Sequence, residues 1–169
     1  FLPAIVVASL APAITRARAQ DRKLYEDRLV NQYRLLFILF LVVAVPLYFL
    51  AEPVMVLLFG EAFRMAGYLL SLLDIRLFFT NMGVGKSSFI TNESLFRYAL
   101  VTAVVGAALN IAMNYVLIPT YQSIGAIWAM IGSFFVSIFL VDLFFKEARP
   151  NFRWMMHGIA TFWKIRNVN

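Results

Sequence analysis

Residues 106–129 read GAALNIAMNYVLIPTYQSIGAIWA. An apolar helix carrying Asn110 and Asn114 one turn apart is stopped at Pro119, turned by a few polar residues and restarted on Gly125 and Ala126. In lipid, two amides at this spacing are costly unless another helix satisfies them. The stretch therefore predicts a membrane hairpin docked on protein. Thr102, Gly106, Asn110 and Asn114 form a small and polar ridge on its first arm. Gly125, Ala129, Ser133 and Ser137 form a second ridge on the other, and both are assigned to close helix packing.

The rest of the chain has the same character. Of 169 residues, 62% are hydrophobic, 16% aromatic and only 14% charged, and the mean hydropathy is +0.80. These values lie outside the usual range of soluble domains and predict an all-α polytopic membrane protein. The net charge of +6 comes mostly from two clusters, RARAQDRK and KEARPNFR, each beside an apolar span. That is membrane-flanking charge, and no nucleic-acid partner is expected. The chain has no cysteine, which removes any disulfide framework or thiolate metal site.

Residues 1–14 lack the basic leader and cleavage site of a signal peptide and are expected to be the end of a truncated transmembrane helix. Residues 15–34 interleave arginines with Asp21, Glu26 and Asp27 and are read as a cytoplasmic charged connector at the membrane surface, without a site. Four transmembrane helices follow within 35–145, at 35–51, 67–85, 98–118 and 124–145. The first is about 25 Å long, kinked at Pro46 and ended by Glu52 and Pro53, with VMVLLFG after it as a short interfacial turn. Residues 87–97 are read as a loop, and Asp142 is expected close enough to the interface to reach water. Residues 146–169 form a cytoplasmic basic amphipathic tail, with Trp154 and Trp163 suited to headgroups. Lys and Arg number six, one, two, none and five in the successive connections and tail. This alternation predicts a cytoplasmic C-terminus.

No enzyme constellation is present in the sequence, and no metal site or cofactor is expected. His157 is the single histidine and reads as a surface residue, serines and threonines have no partnered histidine, and no glycine run forms a phosphate loop. The informative residues are the charges inside the 67–85 span. Asp74 and Arg76 lie roughly 10 and 13 Å into it, so each must face protein or an aqueous cavity. Two positions apart is about 200° on a helix, so they point to different sides, Asp74 with Phe78 and Asn81, Arg76 with Thr80 and Gly83. Arg76, Asp74, Asn81 and Lys86 are the candidates for a substrate cavity. A plain structural pairing of each charge with a neighbouring helix is the alternative.

The order SLAPAITRA, LLFGEAFRMAGYLLSLL, AALNIAMNYVLIPTYQSIGAIWA and KEARPNFRWMMHGI resembles the C-terminal half of bacterial polysaccharide flippases of the multidrug/oligosaccharidyl-lipid/polysaccharide superfamily. Asn110, Asn114, Leu117, Ile118, Pro119, Gly125 and Ala126 carry most of that resemblance, and Phe59 to Phe63 a second part. Gln122 and Ser123 stand where such proteins commonly have a glycine, and Asp74 to Arg76 is more charged than usual. The resemblance implies the C-terminal helical bundle of a twelve-span, two-lobed transporter in the bacterial inner membrane. Such a protein would move an undecaprenyl-pyrophosphate-linked oligosaccharide by alternating access for O-antigen, capsule or exopolysaccharide synthesis. Its partners would be that lipid-linked oligosaccharide, membrane lipids and the polysaccharide polymerase and chain-length machinery. On this reading Arg76 lines the cavity and contacts pyrophosphate or sugar, while Asp74 either tunes it or takes part in coupling to an ion, H+ or Na+. An ion-coupled multidrug exporter of the same superfamily and a non-transporting membrane scaffold are the other readings.

Overall fold

The computed structural model describes residues 2–165, which leaves Phe1 of the predicted first segment and residues 166–169 of the predicted tail outside the described residues. The chain is 91% helical, with no strand among the described residues. Helix α1 spans Leu2–Gln20, α2 Arg22–Phe59, α3 Arg64–Asn92 and α4 Phe96–Phe135; a π-helical turn at Val136–Leu140 leads into α5, Val141–Phe144, and α6 covers Arg149–Ala160. Three stretches, Leu2–Gln20, Arg22–Phe59 and Phe96–Phe144, are long and apolar enough to cross a membrane. Helix α3, the predicted 67–85 span, is long enough but less apolar, because it carries Asp74 and Arg76 near its middle.

Two antiparallel hairpins make the frame. In the first, α2 turns at Gly60 (φ +87°) and the short 3-10 turn Glu61–Phe63 into α3. A side chain at Gly67 would meet Glu52 Cα at 2.6 Å, and one at Gly85 would meet Leu36 and Tyr33. Glycine lets the two backbones touch at the first point and lets the Leu36 and Tyr33 side chains lie on the α3 backbone at the second. Between these points Gln32 donates to the Gly85 carbonyl (3.1 Å) and Asn81 to the Leu36 carbonyl (3.0 Å). At the turn, Arg64 donates to Glu61 (2.8 Å) and to Glu52. Those bonds, Glu61 first, hold its pKa above the ordinary arginine value.

The second hairpin is the 106–129 stretch. Helical backbone runs through Pro119 to Tyr121 and breaks at Gln122, at φ 50° and ψ −128°. The turn is thus one residue rather than the predicted five-residue loop. Asn110 Nδ2 donates to Ser133 Oγ (3.2 Å) across the arms and Asn114 Nδ2 to Asn110 Oδ1 (2.9 Å). Gly106 lies over Ser137, Gly132 over Met113, and Gly125 against the Leu117 carbonyl, where a Cβ would come within 2.4 Å. The second arm faces the core and buries Ile127, Ala129, Ile131 and Ser133. The first arm faces outward with Leu100, Val104, Ile111 and Tyr115 exposed.

The main core brings Tyr33 and Leu36 of α2 together with Phe79 and Met82 of α3, Ile127 and Ile131 of α4, Phe139 of the π turn and Met155 of α6. Several sequence boundaries shift as a result. Glu52 and Pro53 do not end the first span, since α2 is continuous to Phe59 and absorbs VMVLLFG. A proline removes one helical donor without stopping a helix whose other bonds and packing persist. The 15–34 connector is not a separate surface helix. Asp21 ends α1 and caps α2 by accepting from the Lys23 and Leu24 amides, and Tyr25, Leu29, Gln32 and Tyr33 are fully buried. At 1.5 Å per residue α2 is about 57 Å long, roughly twice a bilayer core. Its first turns therefore pack outside any membrane, against the ends of α1 and α3 and against α6. The predicted 87–97 loop shrinks to the turn between Asn92 and Phe96.

The Gln122 backbone lies in a region that favours glycine. Replacing Gln122 by Gly is expected to raise the melting temperature by about 2–4 °C, the equivalent of ~1 kcal/mol for a chain of this size. Gly125→Ala forces a methyl into the Leu117 carbonyl and is expected to lower stability by about 1–3 kcal/mol. Thermal unfolding in detergent of both variants beside the native chain checks the pair.

Candidate membrane-embedded polar site

Helix α3 presents two chemically different faces. Asp74 is 4% exposed and points toward α2, and neither carboxylate oxygen has a hydrogen-bond partner among the described residues. It lines a pocket of about 210 Å³ with Ala44, Val45, Tyr48, Phe49 and Ser71, next to the α2 turn that contains Pro46. The Ser71 hydroxyl is spent on the Tyr68 carbonyl at 2.7 Å. Proline at position 46 withholds the amide that would bond the Val42 carbonyl. The carboxyl without donors thus faces the α2 segment around the helix turn that lacks one bond.

Arg76 is on the opposite face, exposed, and without an acceptor among the described residues. Thr80 and Ser87, also exposed, continue its side of the helix toward the Asn92 end. The 200° separation read from the sequence holds: Asp74 is inside and Arg76 outside. Asn81 shares the Asp74 side, where its amide is used on Leu36, and it also borders a pocket of about 190 Å³ lined by Leu2, Leu39 and Val43.

Lys86 is the residue whose surroundings differ most from expectation. It is 4% exposed rather than open to a cavity. Its ammonium donates to Asp142 Oδ1 and to the carbonyls of Ser137 (3.3 Å) and Ile138 (3.1 Å), and lies 5.0 Å from the centre of the Tyr98 ring. Asp142, expected near water, is fully buried. It also accepts from the Tyr98 hydroxyl and from Asn151 Nδ2 (3.3 Å), whose own Oδ1 accepts from Tyr33 (2.6 Å). The cluster joins α2, α3, α4, α5 and α6. A lysine so engaged is bonded within the bundle and not turned to an open cavity.

Sequence reading missed Tyr33, Tyr98, Asp142 and Asn151 as members of a site. One signal was available: Asp142 is the sole acidic residue in the 124–145 stretch and Lys86 the sole basic one at the end of the 67–85 stretch, and two charges in apolar spans seek each other. The packing residues Gly106, Asn110, Asn114, Gly125, Ala129 and Ser133 all lie in the hairpin interface or the core behind it. Trp154 packs against Tyr25 and Phe89 with Arg22 over its ring, while Trp163 is exposed. His157 is exposed. Among the described residues no group of three or more His, Cys, Asp or Glu is placed to hold a metal ion.

The charges divide by position along the bundle. Arg18 and Arg22 pair with Glu93 (3.3 Å each) where α1, α2 and α3 meet, and the Lys86 cluster and α6 lie at that end too. The far end, at the α2–α3 turn, carries Arg64 with Glu52 and Glu61. Comparison of the chain with protein-family models, curated proteins and solved structures finds no match.

A buried carboxyl without donors forfeits its hydration without return, a cost of about 1–3 kcal/mol. Asp74→Leu is therefore expected to melt no lower than the native chain and as much as ~3 kcal/mol higher in stability. A clear drop in melting temperature would mean that Asp74 is bonded after all.

Proposed function

We propose that the chain supplies the C-terminal helices of a flippase-type transporter in the bacterial inner membrane, with its substrate cavity along the Arg76 face of α3. The observation that carries this reading is the free guanidinium of Arg76 midway along α3, on an exposed face continued by Thr80 and Ser87. An arginine in mid-membrane is costly facing lipid. Facing a water-filled cavity it offers five donors in a fork suited to phosphate oxygens, which fits an undecaprenyl-pyrophosphate-linked oligosaccharide. The sequence resemblance to polysaccharide flippases points the same way, and with it a twelve-span, two-lobed architecture and a role in O-antigen or related polysaccharide export. The polymerase and chain-length machinery are the partners this role implies. Concentration of basic side chains at the α6 end supports a cytoplasmic C-terminus by the positive-inside tendency. Asp74, buried opposite the Pro46 turn, suits a proton- or sodium-coupled step.

Asp74 also favours a second reading. A carboxyl in an otherwise apolar pocket suits an ion-coupled exporter of apolar cations. The two readings separate on Arg76, which such an exporter does not need.

Losing one charged hydrogen-bonding partner of a phosphate costs about 1.5–3 kcal/mol, or roughly 10- to 100-fold. Arg76→Ala in the whole transporter is expected to reduce surface-glycan export by that factor at unchanged expression, and Arg76→Lys by less. Because the chain has no cysteine, Arg76→Cys gives an independent check: a charged, water-soluble thiol reagent labels it if the face lines an aqueous cavity. Unchanged export in Arg76→Ala, or no labelling of the cysteine, would dismiss the cavity assignment.

A further inference from the structure

The π-helical turn Val136–Leu140 alters what the end of the second hairpin can bind. Widening a helix by one residue moves carbonyls out of register with their donors, and such turns recur at functional sites. Here Ser137 O and Ile138 O both accept from the Lys86 ammonium, at 3.1–3.3 Å. Asp142 Oδ1 accepts a third bond, and the Tyr98 ring covers the charge at 5.0 Å. Two main-chain carbonyls and one carboxylate oxygen around a single positive charge form the donor set with which membrane proteins replace the water shell of a monovalent cation.

The donor set has its own support. The Tyr98 hydroxyl and Asn151 Nδ2 both donate to Asp142, and Asn151 is fixed in turn by Tyr33. None of these bonds involves Lys86. All three oxygens come from residues 137–142, while the ammonium arrives from α3 on a four-carbon stem. The geometry points to a monovalent-cation site made by Ser137 O, Ile138 O and Asp142, which we propose the chain fills with its own Lys86 ammonium. A cation tethered to α3 cannot diffuse away. The native joint between α3 and the hairpin is therefore closed to free sodium, and shortening the lysine opens it. This assignment is independent of what the protein transports.

The test is thermal unfolding of the purified chain in detergent, in choline, sodium and methylammonium chlorides at equal ionic strength. The native protein is expected to melt at the same temperature in all three. Lys86→Ala leaves a buried carboxylate and two carbonyls unpaired, and is expected to melt roughly 10 °C lower in choline chloride. It recovers most of that loss in sodium or methylammonium chloride, because these cations are small enough to occupy the vacated position. The double variant Lys86→Met/Asp142→Asn lacks the charge that attracts a cation and is expected to respond to none of the salts. Equal instability of Lys86→Ala in the three salts would overturn the proposal. So would failure of that variant to fold in any of them while the double variant folds, or the same recovery in the double variant.

Discussion

The pairing of Lys86 with Asp142 is the constraint on which the arrangement of helices depends. Each is a charge with less than a twentieth of its surface exposed, and a charge taken out of water is tolerated only where the remaining donors and acceptors are also satisfied. The carboxylate has Tyr98 and Asn151 besides the lysine, and the ammonium has two carbonyls of the π turn. Meeting those needs at one point fixes α3 against the returning arm of the second hairpin and seats α6 beneath both. Moving α3 away from that arm separates two buried charges, and moving α6 takes the Asn151 bond from Asp142. Such a pair contributes more to choosing one packing than to net stability.

Around that point, packing proceeds by close backbone contact. Gly67 and Gly85 bring α2 and α3 together at both ends of their interface, and Gly125 closes the tip of the second hairpin. The amides of Gln32, Asn81 and Asn110 then find carbonyls or a side-chain oxygen across narrow gaps, and Asn114 holds Asn110 from one turn away on the same arm. In an apolar medium this is how helices associate when burial of apolar surface offers little drive. Asp74 and Arg76 stand apart from the pattern. One is buried with neither carboxylate oxygen bonded and the other exposed with no acceptor among the described residues, and charged groups left unanswered inside a membrane bundle are where function is sought.

The divergent faces of α3 also explain why a single helix can serve two purposes. Its inner side, with Asn81 and Lys86, is committed to neighbours. Its outer side leaves Arg76, Thr80 and Ser87 exposed, although Gly83 between them lies against Ile138 of the π turn. A bundle held rigid on one face can present the other to a substrate without rearranging its own core.

Hydropathy and helical period were sufficient for the all-α class, for the hairpin at 106–129 and for the opposite directions of Asp74 and Arg76, because each follows from composition or from 100° per residue along one helix. The packing ridges at Gly106, Asn110, Gly125 and Ala129 were legible for the same reason. Helix ends were not: Pro53 looks like a boundary in sequence, yet α2 runs through it, and the charged 15–34 stretch reads as one connector, yet Asp21 divides it between α1 and α2. The long helix is stabilised there by α1, α3 and α6, contacts that no local pattern encodes. The Lys86–Asp142 cluster lay beyond reach too, since its members are up to 118 residues apart in the Tyr33–Asn151 bond and the π turn that aims the carbonyls leaves no mark on hydropathy. Sequence determined the helical class and which charges are anomalous. Only the tertiary structure decided which of those charges are answered, because a buried charge is settled by whatever helix the fold brings within three ångströms of it.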